Sequence, residues 1–168
     1  MHILDAIGNT SMVQLRQVVP PGCADIFVKL EWENPTGSFK DRMAIAVISR
    51  AEADGRLRPG DTVVEYTGGS TGASLALVCA AKGYPIRIVS SDAFSREKLD
   101  QMAAFGAHLT LVPSEGGRTT KKLVLAKQTI RELAKSKLSV LPAVAGGMAQ
   151  DSLGCWYTAG SNQQVCCA

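Results

Sequence analysis

Two short stretches carry side chains whose types and spacing could do chemistry. The first is NPTGSFKDRMA, Asn34 to Ala44, in which Lys40 follows a Pro-Gly turn. Asn34-Pro35-Thr36-Gly37 has turn chemistry, because proline fixes φ and glycine is free to take positive φ. Ser38 is expected to cap a helix, with Asp41 in its first turn at the positive end of the dipole. Lys40 falls in the same turn, where a cation is electrostatically misplaced. Two readings stay open: the long stem carries the ammonium out to solvent, or the amine is placed there to react.

The second stretch is EYTGGSTGASLA, Glu65 to Ala76, which runs from a strand end through glycines into a helix. That order collects backbone N–H groups at a positive dipole end, suited to a carboxylate or phosphate. The hydroxyls of Thr67, Ser70 and Thr71 add donors. A Walker loop is excluded, since Gly72 is followed by Ala73 and Ser74, and Gly68 to Gly72 does not spell a dinucleotide fingerprint. The plain alternative is a glycine-rich βα turn of any α/β protein. Taken together, an amine that neighbouring structure can desolvate and an anion cradle point to pyridoxal phosphate chemistry.

The elements that must position these groups alternate. A helix is expected at 39–53, with Ala44, Ile45, Val47, Ile48 and Ala51 apolar. Strands are expected at 62–66, 86–89 and 108–112, and a helix at 73–82. Ser95 is expected to cap a helix carrying Leu99, Met102 and Ala103, stopped by Gly106. A long basic helix at 118–137, with Leu123, Ala126, Ile130 and Leu133 on one face, and a fourth strand at 138–141 complete the series. Helices between strands imply right-handed crossovers, and hence an α/β protein with a parallel sheet covered by helices on both faces. From Ala143 the periodicity is lost, and Asp151 is the one charged side chain in the last 26 residues.

The chain has 168 residues, 46% of them hydrophobic, and a net charge of +3, enough for one core and too little charge to argue for nucleic acid. The basic helix reads as a solvated face, because no aromatic residues are interleaved for stacking. Five cysteines form no C-x-x-C pair and no zinc spacing with His2 or His108, so no metal and no disulfide framework is expected. Cys79 reads as a small core residue. The terminal Cys166-Cys167-Ala168 lacks the basic stretch that accompanies lipid attachment. With neither an apolar leader nor a membrane-length run, the expected location is the cytoplasm.

IGNTSMVQL, NPTGSFKDRMA, GRLRPGDTVVEYTGGSTGASLAL and AAKGYPIRIV resemble, in order, landmarks of the cysteine synthase and cystathionine β-synthase family. These are fold-type II pyridoxal phosphate enzymes of three-layer α/β architecture. The resemblance runs from about Ile7 to Leu141. It implies that Lys40 bonds the cofactor and acts as the base for the substrate α-proton. It also implies that Thr67, Gly68, Gly69, Ser70 and Thr71 grip the substrate carboxylate, with Ser70 beside the cofactor ring. The implied activity is β-replacement on an activated serine such as O-acetylserine, by sulfide or another thiol. Gly68 stands where the family usually has serine, and Ser70 where it has asparagine. The NPTGSFKDR version also resembles threonine synthase, which stays an alternative beside cystathionine β-synthase-like activity and a non-catalytic α/β binding fragment.

Family members continue for about as long again and are typically homodimers. The resemblance therefore implies an N-terminal segment, 1–33, that normally packs into a larger domain, a small α/β domain at 34–142, and a divergent tail at 143–168. The chain is expected to be the N-terminal part of such an enzyme, with doubtful activity alone. Apolar side chains such as Ile26, Phe27, Val28 and Leu30 are expected to be left exposed and to favour association.

Overall fold

The computed structural model describes residues 1–115. The expected helix at 118–137, the expected fourth strand and the tail lie outside the described residues. An N-terminal ribbon pairs β1 (Met12–Leu15) antiparallel with β2 (Ile26–Lys29). Next come α1 (Lys40–Ala53), β3 (Val63–Tyr66), α2 (Ser70–Lys82), β4 (Ile86–Ser91), α3 (Arg96–Ala104) and β5 (His108–Val112). Short 3-10 turns occupy Ile3–Ala6 and Glu31–Glu33.

The second sheet is parallel, in the order β3-β4-β5. Sequential order with right-handed crossovers puts α2 and α3 on the same face. On that face the register sets Val63 beside Ile86 and Ile88 beside Leu109, and all four meet the helices in one core. The opposite face carries buried Val64 and Val89 but exposed Arg87 and His108. So the expected parallel α/β sheet is present, with the described crossover helices on one side of it.

Local chemistry explains each element. In α1, Ala44, Ile48 and Ala51 recur at helical spacing and are fully buried, while Arg50 pairs with Asp54 on the outer surface. Burying Ile48 alone contributes about 2 kcal/mol. α2 is buried continuously from Gly72 to Cys79, which marks it as the central helix between α1 and α3. Cys79 is a core residue, as expected, and burial pushes its thiol up to about 12. Gly106 takes φ +81° and ends α3, with the Ala107 N–H returning to the Met102 carbonyl at 3.1 Å.

Two capping expectations need correction. α1 begins one residue after Phe39, which holds the N-cap position, and the Ser38 Oγ instead accepts the Lys40 N–H at 3.2 Å. Ser95 does hold the N-cap of α3, but its hydroxyl makes no capping bond. In both cases backbone contacts start the helix: the carbonyls of Ser38 and Ser95 accept from Asp41 and Lys98.

The ribbon is tied to the body at its base. Glu31 takes Arg42 through both carboxylate oxygens, at 2.9 and 3.0 Å, and the Thr10 hydroxyl donates to it at 2.7 Å. Above that base the ribbon is exposed and apolar: Met12, Ile26, Phe27 and Val28 all face out, as does the nearby Trp32. Leu30, expected to be exposed with them, is half-buried.

Candidate active site

The turn before Lys40 forms as its sequence dictates. The Gly37 N–H closes it onto the Asn34 carbonyl at 2.7 Å, and Gly37 takes φ +73°. Asn34 is buried and its side chain is fully engaged: Oδ1 accepts the Gly8 N–H at 2.8 Å and Nδ2 donates to Glu31. The two stretches IGNT and NPTG, far apart in sequence, therefore meet. Lys40 opens α1, half-buried, with its ammonium 4.2 Å from the centroid of the Phe39 ring. That contact offers the cation a π-face in place of part of its water.

Asp41 and Arg42, adjacent in sequence and opposite in charge, part company. Asp41 is completely buried and accepts both the Thr36 N–H and the Thr36 hydroxyl. Arg42 points the other way, to Glu31. The Arg42 guanidinium is the main reason the Glu31 carboxyl drops from 4.5 to about 2, with Thr10 and Asn34 helping.

The glycine loop leaves β3 at Tyr66. Thr67 continues the ladder, its N–H donating to the Val89 carbonyl at 3.2 Å, and its Oγ1 accepts from the Gly69 N–H. Gly69 is the N-cap of α2, which begins without a side-chain cap. A methyl at Gly69 would meet nothing within 4 Å, so there is open room above the helix start. A methyl at Gly72 would lie 2.5 Å from Thr67 Cγ2 and 2.8 Å from Met102 Sδ, so that glycine seats the loop on α3.

Besides the packing of α1 on α2, one hydrogen bond joins the two stretches. The Thr36 hydroxyl lies 3.2 Å from the Ser74 hydroxyl, both buried, across 38 residues of sequence. The Lys40 turn and the loop-bearing helix are thereby held side by side. Thr10, Glu31, Ser74 and Phe94 are structural partners that sequence reasoning did not single out, and the turn pattern at Asn34 and Thr36 does not reveal their side-chain bonds to Gly8 and Ser74, 26 and 38 residues away.

A family model described as "Pyridoxal-phosphate dependent enzyme" matches residues 3–156. The chain belongs to this family. Among its members, a cysteine synthase of Staphylococcus aureus (strain Mu50) is 44% identical over 131 residues, covering 78% of this chain and 42% of that protein. Of solved structures, O-acetylserine sulfhydrylase isoform 3 from Entamoeba histolytica matches with TM-score 0.74 and 36% identity, over 83% of this chain and 42% of that one. An O-ureido-L-serine synthase matches at TM-score 0.70 and 40% identity, over 82% and 42%. The chain thus spans about two-fifths of the length of these relatives.

The groups present fit part of a cofactor site: a half-buried primary amine, and an uncapped helix start with open space and hydroxyls around it. Among the described residues no group of His, Cys, Asp and Glu could hold a metal ion, and no helix is long and apolar enough to cross a membrane.

Proposed function

We propose that this chain carries the lysine and the carboxylate-binding loop of a pyridoxal phosphate enzyme performing β-replacement on an activated serine. The contact between Thr36 and Ser74 supports this reading above all, because it sets the Lys40 turn against the helix that carries the loop. Pyridoxal phosphate, when bound, supplies an electron sink for the substrate α-carbon. Lys40 would hold the cofactor and, with its amine freed, would take the substrate α-proton as general base and return it once the thiol has added. The N–H groups at the start of α2, with Thr67, Gly68, Gly69, Ser70 and Thr71, would take the α-carboxylate, and Ser70 would also contact the cofactor. The β-substituent departs as an anion, acetate from O-acetylserine, and sulfide or another thiol adds in its place.

The chain divides in this reading into a segment at 1–33, a small domain at 34–142 and a tail at 143–168. The exposed apolar side chains on both faces of the ribbon, Met12 and Phe27 on one and Ile26 and Val28 on the other, support the first boundary, since such surfaces call for a partner. The whole enzyme is expected to be a cytoplasmic homodimer.

A second reading rests on the loop itself. Gly68 and Ser70 replace the serine and asparagine usual in cysteine synthases, which favours an altered substrate and keeps a threonine synthase-like or cystathionine β-synthase-like activity in view. The test is borohydride reduction of the full chain with pyridoxal phosphate, followed by peptide mapping, with Lys40→Ala as control. Selective labelling of Lys40 is the expected result; scattered or absent labelling overturns the proposal. Turnover of O-acetylserine with sulfide then supports the first reading, and its absence beside selective Lys40 labelling favours the second.

A further inference from the structure

Parallel α/β sheets bind ligands in the crevice outside the carboxyl ends of their strands. Two loops of this chain leave the sheet at that edge from adjacent strands. One, after β3, is the glycine loop; the other, after β4, is the turn in which the Phe94 N–H returns to the Ser91 carbonyl at 3.2 Å. They touch at one point. The Phe94 ring lies directly against Gly68, and a methyl added there would fall inside the ring's van der Waals envelope, against Cδ1, Cε1 and Cζ together. The ring is half-buried, and it occupies the space into which a side chain at 68 would project.

We propose that Phe94 is a positioning residue for the substrate carboxylate, acting through Gly68. This rests on the assignment of the glycine loop above. The ring braces the backbone at Gly68, while the Thr67 methyl fills the space beside Gly72. A loop clamped in this way presents its N–H groups without reorganising when the carboxylate arrives, which is the condition for strong electrostatic binding. With Phe94 in this position a side chain at 68 would have to displace the ring, which leaves the carboxylate to backbone N–H groups and the remaining hydroxyls.

The edge beneath the contact is polar. Tyr66 pairs in register with Val89, so the next residues, Thr67 and Ser90, lie side by side, and Ser90 is fully buried with no hydrogen-bond partner for its Oγ among the described residues.

The experiment follows amide hydrogen exchange in residues 67–72 of the full chain with pyridoxal phosphate, while L-serine is titrated in as the carboxylate probe. Serine is expected to slow exchange of these amides in the wild type. Phe94→Ala is expected to raise the half-saturating serine concentration by about tenfold or more, and Phe94→Tyr, which keeps the ring, to restore it. Gly68→Ser is expected to lower the Tm in the wild-type background and to be tolerated alongside Phe94→Ala. Should Phe94→Ala not fold, Phe94→Leu makes the same comparison. Wild-type protection that survives Phe94→Ala unchanged overturns this proposal and leaves the loop assignment standing. An equal cost of Gly68→Ser in both backgrounds overturns it too. An absence of serine protection in the wild type overturns both.

Discussion

Thr36 gives both of its donors to Asp41: the backbone N–H reaches Oδ2 at 2.8 Å and the hydroxyl reaches Oδ1. Among the described residues no cation pairs with this buried carboxylate. Its charge is compensated by these two donors and by the N-terminal end of α1, where Asp41 sits in the first turn. The lysine that precedes Asp41 in sequence is thereby anchored through its neighbour.

Asp41→Ala is expected to destabilise the chain by about 3 kcal/mol, since it strands two buried donors at once. Asp41→Asn keeps one acceptor and should cost less. Urea denaturation measures both. A loss for Asp41→Ala no larger than that of an exposed carboxylate would show that the Thr36 turn holds itself.

The Glu31–Arg42 pair sets an acid limit on the ribbon's attachment. Its folded carboxyl is depressed from 4.5 to about 2, chiefly by the Arg42 hydrogen bonds. A depressed carboxyl contributes stability that is complete above the unfolded value and is lost as pH falls through the folded one. The Tm difference between wild type and Glu31→Gln should therefore be constant above about pH 4.5, shrink below it, and vanish near pH 2. A difference that persists at pH 2 would mean that the contribution comes from packing and not from charge.

Gly72→Ala tests the seat of the loop. Helix propensity favours alanine by about 1 kcal/mol, but its methyl would lie 2.5 Å from Thr67 Cγ2 and 2.8 Å from Met102 Sδ. Overpacking of that kind costs about 1–3 kcal/mol, so the substitution is expected to be net destabilising in urea. Thr67 must shift to make room, and serine protection of residues 67–72 should weaken as well. A stabilised Gly72→Ala would show that Met102 moves aside freely.

Ser90→Ala removes a buried hydroxyl that has no hydrogen-bond partner among the described residues. Folding without that desolvated group should be neutral or more favourable, by up to about 1 kcal/mol. Measured loss of stability in the free chain would contradict this. A loss confined to serine binding would instead place the hydroxyl in the carboxylate site.

Much of the fold and of the candidate site is legible in the sequence because it rests on local chemistry. Pro35 and Gly37 make the 34–37 turn with the dihedrals their own residues prefer. The run from Val63 to Val112 alternates strand and helix with periods that burial on one face requires, and all five elements there form where expected, with shifts of a residue or a few at their ends. Lys40 and the glycine loop are visible as an amine and an uncapped helix start, and the ordered motifs around them identify the family.

What only the tertiary structure decided is which partner each polar group takes. Asp41 and Arg42 are neighbours in sequence and of opposite charge, yet the helix directs one inward to Thr36 and the other across to Glu31. Ser38 and Ser95 have capping chemistry, but neither hydroxyl forms the expected N-cap bond to its helix. Phe94 reads as a loop residue until the carboxyl edge of the sheet brings it onto Gly68, 26 positions earlier. Local propensity constrains dihedrals within a few residues, whereas hydrogen-bond partners and ring contacts depend on where distant segments are delivered by packing of the core. The sequence by itself therefore determined the elements and the chemistry they carry, and the packing of α1 and α3 against α2 decided how those groups are held.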